Sequence, residues 1–149
     1  NFFRLLQLVD RGVPVPFAAV RNKRSLLYVG NLVSAMVVSC WHPQAPGRTF
    51  LLSDGEDLST PDLIRRLAQL LDRPARLVSV PLSVLRLAAH VLGKREVLAR
   101  LIGSLAADSS RVREKLDWLP PWAVNQGLQD TVAWYQGLGG RVERKRTLL

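Results

Sequence analysis

The sequence of 149 residues contains one cysteine, two histidines and only 12 acidic residues against 21 lysines and arginines. A lone cysteine, Cys40, forms no internal disulfide, which fits a reducing, cytoplasmic setting. The histidines are isolated, so neither a zinc site nor a Ser-His-Asp arrangement is indicated. Both Cys40 and His90 lie in apolar helical patterns and are predicted to be packed in the core.

Two further absences narrow the function classes. The apolar runs are too short or too interrupted to cross a bilayer, so no membrane partner is expected. No glycine-rich loop follows a predicted strand, which excludes a dinucleotide-binding fingerprint and a P-loop. The chain starts at Asn1 in an amphipathic pattern and has no initiator methionine. We therefore expect it to be a piece of a longer protein.

The composition that is present describes a globular domain with a basic surface. Hydrophobic residues make up 48% of the chain, which is enough for one compact core. The net charge of +9 favours anionic partners such as nucleic acid, phosphorylated small molecules or an acidic domain. Part of that charge lies in the last ten residues, GRVERKRTLL. We predict one domain over residues 1–138 and a basic, flexible tail over 139–149.

Apolar periodicity predicts an α/β fold with a small, mainly parallel sheet of about three short strands and five to six helices. The strands are expected at 25–29, 49–53 and 75–81. A first helix is expected to stop at Gly12, and a long helical region after residue 81 to break at Gly93. Further helices are predicted near 32–42, from about Ser109, and over 123–136.

The clearest helix signal follows the second predicted strand. Ser59 and Asp62 have the spacing of a capping box, and Pro61 lies in the first turn. Leucines then recur at helical spacing as far as Leu71. A second N-cap is predicted at Asn31, before an apolar stretch.

Arginines stand at the boundaries of predicted elements. Arg24 and Arg48 each precede a strand, and Arg100 lies near the end of a helix. A guanidinium group suits bidentate recognition of phosphate. For any one arginine, however, a solvated surface position is the ordinary alternative, and spacing alone does not decide between them.

Three stretches together resemble a known family. RSLLYVGNLVSAM, GRTFLLSDGEDLSTPDLIRRLAQLL and ADSSRVREKLDWLPPW resemble, in that order, the C-terminal half of nucleotide-sugar epimerases and dehydratases. These enzymes form part of the extended short-chain dehydrogenase/reductase family, whose best-known member is UDP-glucose 4-epimerase. The resemblance runs from Asn1 to about Tyr135. It implies a substrate-binding lobe that holds the nucleotide diphosphate of a UDP-sugar or related nucleotide-sugar.

The family's other half is a Rossmann domain that binds NAD(P) and carries a Tyr-x-x-x-Lys catalytic pair. Neither Tyr28 nor Tyr135 has a lysine four residues later. The resemblance therefore implies that this chain holds no catalytic residue, is inactive alone, and depends on a Rossmann domain outside it. Exposed apolar surface is expected around Phe2, Phe3 and Leu27, where that domain would lie. The full-length protein is expected to form a homodimer.

The resemblance also implies positions for substrate contacts. Asn1 and the backbone of Phe2 match a pair at a helix start that meets the diphosphate, where a helix N-terminus favours anions. Val15 and Phe17 match an extended segment that flanks the nucleobase.

The remaining implied contacts involve arginine and serine. Arg24 matches the arginine that clamps the diphosphate, and Arg100 matches a second arginine that contacts phosphate. Ser104 falls near a family position that contacts the ribose. Epimerase, dehydratase and 4-keto-reductase activities all remain open, and so does a different class, a basic nucleic-acid-binding module, which the net charge alone suggests.

Overall fold

The computed structural model describes the backbone of residues 2–147 and the side chains of residues 2–137. Within that range, helices predominate and are joined by extended segments. The elements are, in order, α1 (Phe2–Asp10), β1 (Arg24–Ser25), α2 (Val29–Trp41), β2 (Asp57–Leu58), α3 (Thr60–Leu70), α4 (Leu82–Val91), α5 (Arg95–Ile102), α6 (Ser110–Leu116) and α7 (Val124–Thr147).

The sheet differs from the prediction. In the described part of the chain it consists of two antiparallel two-residue strands, with Arg24 opposite Leu58 and Ser25 opposite Asp57. The predicted strand at 49–53 is outside any ladder, and the one at 75–81 contributes a single parallel bridge between Leu77 and Val15. An apolar alternation predicts an extended backbone, but a strand also needs a neighbour with which to exchange hydrogen bonds. The three-stranded parallel sheet is therefore wrong, and so is the count of five to six helices, because the described part has seven. The mixture of helices with a small sheet is confirmed.

The main core is formed by α1, α3 and α7. Leu67 at the middle of α3 is fully buried, and Leu6 of α1 and Val132 of α7 are nearly so. Buried positions in α3 recur at intervals of three and four residues, which is the period of one helix face. Charged residues occupy the opposite face of α3, so this helix is amphipathic in the ordinary way.

Local signals for helix ends are confirmed. The Ser59 hydroxyl accepts a hydrogen bond from the Asp62 amide at 3.2 Å, and Pro61 lies at the start of α3. Gly12 and Gly93 both have φ of +64°, a left-handed backbone that glycine adopts without a steric penalty. These glycines end α1 and separate α4 from α5.

The predicted cap at Asn31 is wrong, because α2 begins two residues earlier and Asn31 lies inside it. Asp54 instead accepts hydrogen bonds from the Tyr28 amide at 2.9 Å and from Asn31 Nδ2 at 2.7 Å. Asn31 also accepts a hydrogen bond from the Trp122 amide at 3.0 Å and donates one to the Trp122 carbonyl at 2.8 Å. Asn31 is fully buried and ties three segments together.

Several predictions about burial are corrected. Cys40 and His90 are exposed, because each lies on the outward side of its helix. Of the four tryptophans, which we expected at core or corner positions, Trp118 is buried in a second cluster with Ala35 and Val112. The others are exposed, most of all Trp41 at 83%.

The expected exposed apolar surface is confirmed at Phe3 and Leu27, whereas Phe2 is half-buried against the main core. Helix α7 extends past the predicted end at residue 136, and the domain boundary at 138 stays a prediction. Among the described residues, no helix is both long and apolar enough to cross a membrane.

Candidate functional site

The candidate site lies where β1 runs beside the segment that follows α5. Arg24 pairs with Leu58 in the sheet and forms a parallel bridge with Leu105 on its other side. Its half-buried side chain reaches the end of α5, where Nη1 donates a hydrogen bond to the carbonyl oxygen of Arg100. The side chain of one predicted phosphate-binding arginine therefore contacts the backbone of the other at one corner of the molecule.

A buried polar network holds this corner in place. Asn22 and Thr60 are each only 3% exposed. Asn22 Nδ2 lies 3.0 Å from Thr60 Oγ1 and 3.0 Å from the carbonyl oxygen of Gly103, and Asn22 Oδ1 accepts from the Thr60 amide at 2.8 Å. Thr60 Oγ1 donates to the carbonyl oxygen of Leu101 at 2.8 Å. The last turn of α5 is thus anchored to the start of α3 and to the residues just before Arg24.

The segment after α5 is fixed along its length by β1. The Lys23 amide donates to Ser104 Oγ at 3.1 Å, and the Leu105 amide donates to the carbonyl oxygen of Lys23 at 2.8 Å. The Ser25 amide donates to the carbonyl oxygen of Leu105 at 2.9 Å, and Ser25 Oγ accepts from the Ala107 amide at 2.8 Å. Ser104 is therefore held beside Arg24, as the third predicted site residue at this corner.

The charges of the corner are only weakly neutralised. Arg100 Nη2 lies 3.7 Å from Glu96 Oε2, and both side chains are largely exposed, at 72% and 89%. Solvent screens such a pair, so it contributes little and leaves the Arg100 guanidinium open to an anion. Across the two-stranded sheet, Ser25 Oγ donates to Asp57 Oδ1 at 2.6 Å, which holds the Asp57 carboxylate beside β1.

A shallow cleft of about 220 Å³ adjoins the corner on the side of Asp57 and Ala107. Asp108 lies in its wall, where the Ser110 amide donates to Oδ1 at 2.9 Å and lowers the pKa of the carboxyl group below its ordinary value. The lining is polar and consists of Ser53, Gly55, Asp57, Ala107, Asp108, Ser109, Ser110 and Arg113. Arg24, Arg100 and Ser104 are not among the residues that line this cleft, although Asp57 and Ala107 connect it to β1.

The other predicted contacts lie apart from this corner. Val15 is 5% exposed in the main core, and Phe2 and Phe17 are half-buried against the same core. That cluster includes Leu58, the strand partner of Arg24, so the main core is connected to the corner through β2. The roles of Phe2, Val15 and Phe17 in substrate binding stay predictions, and Asn1 lies outside the described residues.

Sequence reasoning missed Asn22, Thr60 and Asp57. Asn22 stands among charged residues in the sequence RNKR, which gives no sign that its side chain is buried. Thr60 follows the N-cap of α3, so its position was predictable but its partners were not. Within the described residues, no group of three His, Cys, Asp or Glu side chains could hold a metal ion. The guanidinium groups of Arg24 and Arg100 have the chemistry that suits an anion.

Comparison of the sequence with known proteins found two relatives. The chain is 40% identical over 132 residues to the UDP-glucose 4-epimerase of Vibrio cholerae, which covers 88% of this chain and 40% of that protein. It is 25% identical over 130 residues to the uncharacterized protein y4nL of Sinorhizobium fredii (strain NBRC 101917 / NGR234), covering 76% of this chain and 36% of that one. No protein-family model matches the chain.

Among solved structures, the fold is similar to dTDP-glucose 4,6-dehydratase from Bacillus anthracis, determined in complex with NAD. The TM-score is 0.60 at 18% identity, and the match covers 90% of this chain and 38% of the other. At that identity the likeness concerns the fold alone. The chain thus spans about two fifths of the length of the relatives it matches. These findings confirm the predicted resemblance to epimerases and dehydratases of the extended short-chain dehydrogenase/reductase family.

Proposed function

Because the chain is homologous to epimerases and dehydratases of the extended short-chain dehydrogenase/reductase family, we propose that it is the substrate-binding lobe of such an enzyme. In this proposal the lobe lies in the C-terminal part of the protein and holds the diphosphate of a UDP-sugar or related nucleotide-sugar. One observation carries it: a buried network brings Arg24, Arg100 and Ser104 to one corner, although 76 residues separate the two arginines.

The chemistry of the corner suits a diphosphate. Two guanidinium groups provide several donors in a planar fork, which matches phosphate oxygens better than an ammonium group does. The backbone that carries both arginines is tied down by hydrogen bonds from Asn22, Lys23 and Ser25. The backbone at both arginines and the Arg24 side chain, which is bonded to the Arg100 carbonyl oxygen, are therefore held in place before a ligand arrives, which lowers the entropic cost of binding.

The same residues do not fit NAD(P). β2 leads into α3 through Ser59 without a glycine, and β1 leads to α2 through Leu26, Leu27 and Tyr28. Neither connection provides the glycine-rich turn at a helix start that approaches a pyrophosphate closely. In our proposal NAD(P) and the catalytic pair belong to a Rossmann domain outside this chain, so no chemical step is assigned to the residues present here.

Nucleic-acid binding, the alternative from another class, is not favoured by the geometry. Its only support is the net charge, since the exposed tryptophans lie on separate elements, Trp41 at the end of α2 and Trp134 in α7. A platform for stacked bases needs aromatic rings side by side along a basic groove.

The test is a titration of the 149-residue chain with UDP, followed by calorimetry or by NMR shifts. Arg24→Ala should weaken binding roughly ten- to a hundredfold, since losing a charge-assisted hydrogen bond costs about 1.5–3 kcal/mol. Arg24→Lys should recover only part of the affinity, because it keeps the charge and loses the fork. Lys23→Ala, a neighbouring exposed cation, is the matched control and should change little. Equal affinities for the wild type and Arg24→Ala would contradict the proposed site.

A further inference from the structure

The helical hairpin formed by α4 and α5 buries almost none of its side chains. α4 has 10 residues, of which only Ala89 is buried, and α5 has 8 residues, none of which is buried. In α5 the side chains of Leu98, Leu101 and Ile102 are half-buried, and all the others are exposed. The hairpin therefore presents nearly all of its surface to its surroundings.

The outward side of α4 is apolar as far as the turn that ends it. Val84, Leu87 and Val91 are three and four residues apart, so they lie on one helix face, opposite the buried Ala89. Val91 is 77% exposed, and Leu92 at the turn itself is 67% exposed. The most exposed apolar side chains of α4 thus lie at the end of the hairpin.

The turn between the two helices is closed by backbone hydrogen bonds. The Lys94 amide donates to the Ala89 carbonyl oxygen at 2.8 Å, and the Gly93 amide donates to the His90 carbonyl oxygen at 3.1 Å. This pattern, with a left-handed glycine, ends a helix in a defined conformation. Val91 and Leu92 are therefore held at the end of the hairpin by an ordered turn.

Cations border the apolar residues of the hairpin. Between residues 75 and 107 there is one acidic residue, Glu96, against five exposed lysines and arginines, namely Arg76, Arg86, Lys94, Arg95 and Arg100. Lys94 and Arg95 directly follow the turn, so the exposed apolar pair and two positive charges are adjacent. A surface with this charge attracts an anionic partner.

We infer that the α4–α5 hairpin binds the surface of an anionic lipid bilayer. Val91 and Leu92 enter the boundary between headgroups and acyl chains, and Lys94 and Arg95 contact the lipid phosphates. Apolar side chains bordered by basic residues are typical of segments that lie in this boundary. The expectation of no membrane partner concerned segments that cross a bilayer, and attachment to its surface needs none.

Two features favour a bilayer over other anionic partners. The apolar residues lie at a convex turn, which enters a deformable lipid layer directly, whereas a protein would need a matching groove. A stable protein interface also uses about 20–30 residues on each side, more than α4 and α5 contain together. Nucleic acid would contact the cations and leave the apolar residues of the turn in water.

The test measures flotation of the 149-residue chain with vesicles of phosphatidylcholine alone and of equal parts phosphatidylcholine and phosphatidylglycerol. Binding should require phosphatidylglycerol and weaken steeply as salt is added. Combined Lys94→Gln and Arg95→Gln should weaken it at least about tenfold, since each cation near an anionic surface strengthens binding roughly fivefold. Combined Val91→Ser and Leu92→Ser should weaken it by at least about tenfold as well.

A matched control removes the same charge elsewhere. Combined Arg111→Gln and Lys115→Gln, at exposed positions of α6, should change binding by less than about threefold, because these side chains are not part of the hairpin. All the substituted side chains are exposed, so the circular dichroism and the melting temperature of the variants should match those of the wild type.

A fluorescent label locates the contact independently of affinity. In a Cys40→Ser background, nitrobenzoxadiazole attached to Leu92→Cys should emit at shorter wavelength on the anionic vesicles, because it leaves water. The same label on Met36→Cys, at an exposed apolar position of α2, should not change.

Four outcomes would overturn the inference. The first is the absence of binding to anionic vesicles, and the second is an equal loss of binding in the α6 control, which would leave net charge as the only cause. The third is a shift of the label at position 36 and none at position 92. The fourth is equally tight binding to polyglutamate or DNA that Val91→Ser and Leu92→Ser leave unchanged, which would assign the cations to an acidic protein or a nucleic acid. No nucleotide is present and Arg24 and Arg100 are unaltered, so a failure of UDP binding would not affect these results.

Discussion

Helices α2 and α3 are of similar length, yet they relate to the rest of the chain in opposite ways. α3 buries Leu63, Ile64 and Leu67 on one side and carries Arg65 and Arg66 on the other. α2 buries only Asn31 and Ala35 and exposes its larger apolar side chains. α3 therefore packs its apolar side chains inside this chain, whereas α2 leaves its larger ones exposed.

The two helices also begin differently. The N-terminus of α3 is capped locally, because the Ser59 hydroxyl accepts a hydrogen bond from the amide of Asp62, three residues later. The N-terminus of α2 is capped by Asp54, which is 26 residues from Tyr28 in sequence. A local cap stabilises a helix by itself, whereas a remote cap works only when the rest of the fold is in place. We conclude that α3 is the more autonomous element of the two.

The sharpest test of this contrast is a pair of truncations measured by urea unfolding. Leu67→Ala should destabilise the chain by about 2–5 kcal/mol, because it opens a cavity at a fully buried position. Val33→Ala should change the free energy of unfolding by no more than about 0.5 kcal/mol, since Val33 is 53% exposed. A large cost for Val33→Ala would mean that the outer face of α2 is covered even in the isolated chain.

A second prediction concerns the polar tether of α2. Asn31→Ala should destabilise the chain by about 2–4 kcal/mol, because it leaves both backbone groups of Trp122 without their partner and each buried unsatisfied group costs about 1–3 kcal/mol. Gln129→Ala, at an exposed position of α7, is the control and should cost under about 0.5 kcal/mol. Equal effects in thermal unfolding would show that the tether does not hold α2.

The contrast explains which parts of the fold the sequence could predict. Ser59, Asp62 and the leucine spacing of α3 act within a few residues of each other, so local rules locate that helix. The bounds of α2 depend on Asp54 and Trp122, whose partnership with Asn31 is decided by the tertiary fold. The apolar residues at 49–53 predict a strand, but a ladder requires a partner that no local pattern specifies.

The residues of the candidate site also fall into two groups, those that the sequence indicates and those that it does not. Arg24, Arg100 and Ser104 were chosen from a family resemblance, and the structure brings them together at one corner. The residues that anchor the corner, Asn22 and Thr60, make contacts across 38 to 81 residues of sequence. Such contacts carry no periodic or motif signal, so they became visible only in three dimensions.

A third prediction tests how α2 meets α7. A Cβ atom at Gly127 would lie 2.8 Å from Tyr28 Cβ, a distance that side chains do not tolerate. Alanine gains about 1 kcal/mol in helix propensity, but the overpacking should cost about 1–3 kcal/mol and outweigh it. Gly137→Ala, in the same helix with open space around it, should be neutral or stabilising.

The control for the steric explanation is Tyr28→Gly, because alanine would keep the Cβ atom that a side chain at Gly127 would meet. If the clash is the cause, Gly127→Ala should cost much less in a Tyr28→Gly background, and the double-mutant cycle should show a coupling of about 0.5–3 kcal/mol. Additive effects in chemical denaturation would show that Gly127 is needed for another reason, and the packing of Tyr28 between α2 and α7 would lose its importance.

The smallest effect should come from the cap of α3, and it should depend on pH. The Ser59 hydroxyl and then Arg65 lower the pKa of the Asp62 carboxyl group below its ordinary value of 3.8. A carboxyl group with a lowered pKa in the folded state stabilises the fold above its unfolded pKa, and that contribution is lost as the pH falls through the folded pKa.

Asp62 is half exposed, so Asp62→Asn should cost less than about 1 kcal/mol at pH 7, the size of a charge at a helix N-terminus. The difference from wild type should shrink below pH 3.8 as Asp62 gains a proton and comes to resemble asparagine. Glu114→Gln, at an exposed position of α6, gives the baseline in the same urea titrations. A cost for Asp62→Asn that stays constant from pH 7 to pH 2.5 would show that the charge of Asp62 plays no part, and the local cap of α3 would then consist of the Ser59 hydroxyl alone.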